Sequence, residues 1–65
     1  MDKTELRKVA IKLAIKKLNT KEVQKIRKQV CQQFVGIGEE QKECIDAFNK
    51  SFIESFMKSF IKSAQ

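Results

Sequence analysis

Near the C-terminus one four-residue unit repeats: Ser51-Phe52-Ile53-Glu54, Ser55-Phe56-Met57-Lys58 and Ser59-Phe60-Ile61-Lys62, after an imperfect copy, Ala47-Phe48-Asn49-Lys50. A helix turns about 100° per residue, so each copy gains about 40° and the Phe column drifts about 120° between Phe48 and Phe60. A straight, nearly parallel neighbour loses such a stripe after two turns. Rows spaced by four residues are instead the ridges that interlock when helices cross at about −50°, and the serine row beside the Phe row leaves room for that approach. The repeat therefore demands a steeply packed Phe-rich helix, with more apolar surface than a short chain easily covers.

The rest of the chain is permissive for helix. It has two Gly, no Pro and 34% charged residues in 65 positions. These numbers suit a single all-α domain over residues 1–65, and a chain this small is marginally stable without a staple or a partner. Thr4 is the expected N-cap of a first helix over residues 5–18, with Leu6, Val9, Ala10, Leu13 and Ala14 at helical spacing. Ile11, Ile15 and Leu18 widen its apolar arc to about two-thirds of the circumference, leaving one polar ridge of Lys8, Lys12 and Lys16. An arc that wide predicts two neighbours. Beyond it, Val23, Ile26, Val30 and Phe34 lie on nearly the opposite side of a continued helix, so a break is predicted at Asn19-Thr20, with Asn19 and Glu22 as a capping box.

The second helix is expected over 21–35, peripheral, with Lys21, Lys25, Lys28 and Gln32 outward. Gly36-Ile37-Gly38 ends it, because glycine most readily takes the left-handed position after a helix, and Ile37 is expected to seal the corner. Glu39 and Glu40 suit the positive end of a third helix over 39–63. That helix would be roughly 38 Å long, against roughly 22 Å for the others. In an antiparallel hairpin about Ile37, facing residue numbers sum to roughly 74. Phe56, Met57, Phe60 and Ile61 then project beyond the second helix. The predicted fold is a three-helix domain, most simply a homodimer through that overhang, with an extended two-helix hairpin dimer as the alternative.

Charge is unevenly distributed. The net charge is +6, but residues 1–28 carry ten Lys/Arg against three acids, whereas residues 29–65 carry four against five. Such asymmetry favours an acidic partner. Twelve of the fourteen cations are lysines, which neutralise phosphate but lack the fork with which Arg reads guanine. A helix-turn-helix fits poorly: a turn at Gly36 puts Gln32 where a small residue is needed and Lys42 at an apolar position, and a turn at Asn19-Thr20 has no glycine.

The chain has no His, Tyr or Trp, which removes imidazole metal sites and Ser-His or Cys-His nucleophile pairs. Its carboxylates sit at helix starts or beside lysines, so no catalytic residue, cofactor or metal is expected. Cys31 and Cys44 fall nearly level across the hairpin, within reach of a disulfide. With a charged opening segment and no uncharged run longer than Gln29 to Gly38, neither a leader nor a membrane span is expected. The expectation is therefore a cytoplasmic protein with two reduced thiols.

The leading functional expectation is a small non-enzymatic interaction or regulatory protein. It would self-associate and bind a protein partner through Phe52, Ile53, Phe56, Met57, Phe60 and Ile61. A nucleic-acid-binding protein using Lys8, Lys12, Lys16, Lys21, Lys25 and Lys28 comes second, and a cationic protein acting at a membrane surface third.

Overall fold

A computed structural model describes residues 2–64. The described residues form three α-helices and one short 3-10 turn: α1 (Lys3–Leu18), α2 (Lys21–Val30), the turn Gln32–Phe34 and α3 (Gly38–Ala64). The all-α prediction holds. At 27 residues, α3 is about 40 Å long and accounts for most of the 44 Å long dimension of the molecule.

The helix boundaries follow from short polar side chains. Asp2, and not Thr4, caps α1: its Oδ1 accepts a hydrogen bond from the Glu5 N–H at 2.9 Å. Asp is at least as good a cap as Thr, and Glu5, at the third helical position, places its carboxylate in the first turn. The break at Asn19-Thr20 is present, but the roles shift by one residue. Asn19 closes α1 with its N–H on the Ile15 carbonyl, and Thr20 is the N-cap of α2. The Thr20 hydroxyl donates to the Lys17 carbonyl at 2.7 Å and accepts from the Val23 N–H at 3.5 Å. One side chain thus ends one helix and starts the next. Thr20→Ala should cost about 1 kcal/mol, read from urea unfolding, with Asn19→Ala costing less because only its backbone takes part.

Beyond Val30, the expected helix over 21–35 is corrected. After Cys31 the chain tightens into the 3-10 turn, with Phe34 N–H on the Cys31 carbonyl and Val35 N–H on the Gln32 carbonyl. The turn begins beside a covalent tie: Cys31 and Cys44 form a disulfide, with Cα atoms 5.8 Å apart. The expectation of two reduced thiols is corrected by the same bond. Gly36 follows at φ 83°, in open space, so this position needs glycine for its backbone conformation and not for want of room. Ile37 does not seal the corner; it stays 49% exposed.

The hairpin register is close to the predicted one. Besides the disulfide, Arg27 Nη1 donates to Asn49 Oδ1 at 3.0 Å, so facing numbers sum to 75 and 76. The broad packing lies elsewhere, because the closely packed helix pair is α1 with α3. Its centre on α1 is the column Ala10, Ala14 and Leu18, of which both alanines are fully buried. Residues at spacing four form a ridge, and small ones let two helix axes approach closely. Val23 and Cys31 complete the buried set among the described residues, and α3 contributes none. The wide arc of α1 is accordingly covered on one side only, leaving Ile11, Leu13 and Ile15 exposed.

Candidate interaction surfaces

The repeat builds a ladder on α3. Phe48, Phe52, Phe56 and Phe60 stack in sequence, with each neighbouring pair of ring centroids 6.4 Å apart and ring planes within 25° of parallel. This separation lies in the range of favourable aromatic pairing. The second column, Ile53, Met57 and Ile61, runs beside it. Every one of Phe52, Ile53, Phe56, Met57, Phe60 and Ile61 is half-buried. The predicted overhang is therefore partly covered, and α1 supplies cover: Leu13, Lys16, Lys17 and Thr20 line one groove with Phe56. Among the described residues no large side chain is fully buried. The ladder is neither a closed core nor a free surface.

All six candidate lysines are exposed. Lys16 lies in the groove beside Phe56, while Lys21, Lys25 and Lys28 line a groove on α2 with Gln24. Among the described residues the only cationic side chain that donates a hydrogen bond is Arg27, so these ammonium groups face solvent. On a projection of about 100° per residue, the ridge Lys8-Lys12-Lys16 lies nearly opposite the buried Ala10-Ala14-Leu18 column. It points outward.

Between α2 and α3 a cleft of about 350 Å³ opens beside the disulfide, lined by Gln24, Arg27, Cys31, Gln41 and Ile45 among others. Two of its lining side chains are hydrogen-bonded: Arg27 donates to Asn49, and Gln41 Oε1 accepts from the Gly36 N–H at 3.3 Å. Among the described residues no three His, Cys, Asp or Glu side chains come together as a metal site.

Sequence reasoning missed the exposed aliphatic residues. Ile11, Leu13 and Ile15 on α1 are 39%, 40% and 45% exposed, and Ile26, Val30, Val35 and Ile37 are also open. The signal was present in α1, whose apolar arc was too wide for one neighbour. Compared with protein families, characterised proteins and solved structures, the chain matches none. Its function has to be argued from its own residues.

Proposed function

We propose that the chain is a non-enzymatic helical interaction protein that works as a homodimer, with the Phe-rich face of α3 as its binding surface for a second copy and for a protein partner. Exposed area carries this proposal. The chain exposes 5443 Å², whereas a compact monomeric protein of 7.6 kDa exposes about 4,300 Å². The excess of roughly 1,100 Å² is somewhat more than the roughly 800 Å² that each partner buries in a standard interface. Five phenylalanines without one fully buried side chain among them fit the same picture. Pairing of two α3 ladders would complete the burial that α1 begins.

The disulfide favours an oxidising compartment over the cytoplasmic setting expected from the sequence. Among the described residues no helix is long and apolar enough to cross a membrane.

Sedimentation equilibrium at micromolar concentration is the test. The wild-type protein should give about twice 7.6 kDa, and Phe60→Asp, at the far end of the ladder, should give the monomer with its helix content retained. A wild-type monomer would overturn the proposal, as would a Phe60→Asp dimer of undiminished affinity.

A further inference from the structure

The outer face of α2 turns away from α3 and has a composition of its own. Val23, Arg27 and Cys31 mark the inward side, through burial, the bond to Asn49 and the disulfide. On a projection of about 100° per residue, Lys21, Lys25 and Lys28 fall within about 60° of one another and about 100–160° from Arg27, the middle of that side. They belong to a stripe with Gln24, Gln29 and Gln32 in which every member is exposed. The stripe lines two adjoining grooves that share Lys25 and Lys28. Over its whole length α2 holds four Lys/Arg against one acid, Glu22, which lies about 60° beyond Lys25.

We propose that this stripe binds the phosphate backbone of a nucleic-acid duplex without reading its sequence. Charge complementarity selects this occupant. Lysine is a compact point charge suited to phosphate, and it lacks the fork with which Arg reads guanine. The glutamine amides between the lysines suit the phosphate and sugar oxygens, which take most protein–DNA hydrogen bonds. A lipid surface holds a helix by buried apolar area as well as by charge, and the only apolar side chain along these grooves is Val35, at the end of one of them. Single strands are gripped by stacking on aromatic rings, and α2 has none. The same stripe of a second copy would set lysine against lysine, which opposes docking. The ridge on α1 is built differently: Lys16 lines the groove beside Phe56, and the exposed Ile11, Leu13 and Ile15 interrupt its surroundings.

Three lysines that neutralise three phosphates release their counterions, so affinity should fall with salt on a log–log slope of about −2.7 per bound chain, or about fortyfold between roughly 50 and 200 mM. Lys21/Lys25/Lys28→Gln should remove most of that slope, at about one unit for each lysine. Lys8/Lys12/Lys16→Gln takes the same charge from α1 and should leave the slope within about one unit of wild type. All six positions are exposed and Gln is a good helix former, so both variants should keep the fold, verified by helix content and by the intact disulfide.

The experiment is fluorescence anisotropy of a labelled random-sequence DNA duplex titrated with the oxidised protein at roughly 50 and 200 mM salt. Poly-glutamate at equal charge concentration serves as the parallel probe. Duplex binding with the stated slope, lost in the α2 variant and kept in the α1 variant, is the expected result. The proposal is overturned if about 100 micromolar protein fails to bind duplex at the lower salt, or if the α2 variant keeps the wild-type slope. Equal loss in both variants would mean diffuse charge and no site on α2, and equally tight poly-glutamate binding would give the stripe to an acidic polypeptide. Salt-sensitive assembly of the wild type beyond a dimer, abolished by the α2 variant, would give it to Glu39, Glu40, Glu43 and Asp46 of a second copy. The dimer test reads α3, and Phe60→Asp leaves the stripe intact, so either proposal can fail without the other.

Discussion

Removing the Cys31–Cys44 disulfide should lower the unfolding free energy by about 3 kcal/mol, the chain-entropy value for a loop of about fourteen residues. A domain of this length has a total stability of roughly 3–10 kcal/mol, so the loss is a third or more of the whole. The midpoint of thermal unfolding should fall by roughly 10–20 °C. The effect should be local as well as global. From Lys21 to Ile37 the chain buries only Val23 and Cys31, and the Arg27–Asn49 hydrogen bond is the other tie from α2 to α3. Without the bridge, α2 and the turn after it should open before the α1–α3 pair does. Thermal melts of the oxidised protein and of Cys31→Ser/Cys44→Ser measure the first claim, and amide hydrogen exchange measures the second. Equal melts would mean that helix packing suffices and that the thiols contribute only as small apolar groups.

That covalent tie also explains what could and could not be read in the sequence. The break at Asn19-Thr20 was legible because apolar phase is a property of local spacing: Val23 and Ile26 cannot share a face with Ala10 and Ala14 on one straight helix. The hairpin register was legible from Gly36, which needs its positive φ, and from the nearly equal distances of Cys31 and Cys44 from Ile37. The early end of α2 was not legible. Gln32, Gln33 and Phe34 continue a helical pattern, and the 3-10 turn that they form lies beside a long-range tie, the Cys31–Cys44 bridge, that local spacing does not encode. The lysine rows were legible as outward faces, but whether they converge depends on the angle between α1 and α2, which local spacing does not encode. The core was the least legible part. Large residues carry the periodicity of the repeat, yet the fully buried side chains are two alanines on α1.

Those alanines carry the last expectation. Ala10 and Ala14 have no exposed surface, and they sit four residues apart on the helix that packs most closely on α3. At such a position a methyl group sets the distance between helix axes, and a larger side chain must either find an off-rotamer gap or push the helices apart. Ala14→Leu should therefore destabilise by about 1–3 kcal/mol through overpacking. Ala14→Glu should cost more, about 3–5 kcal/mol, because it buries a charge with no partner. Neither loss comes from helix propensity, since Leu and Glu are both good helix formers. Ile15→Leu, one residue further along but 45% exposed, provides the control and should change stability by less than about 0.5 kcal/mol. Urea unfolding of the four proteins at equal concentration, with the disulfide intact, gives the comparison. If Ala14→Leu unfolds at the same midpoint as wild type, α1 does not rest on α3 through its alanine column, and the half-burial of Phe56 beneath α1 needs another cause. If it unfolds earlier with an unchanged denaturant slope, the small residues of α1 set how much of the Phe ladder is left for a second copy.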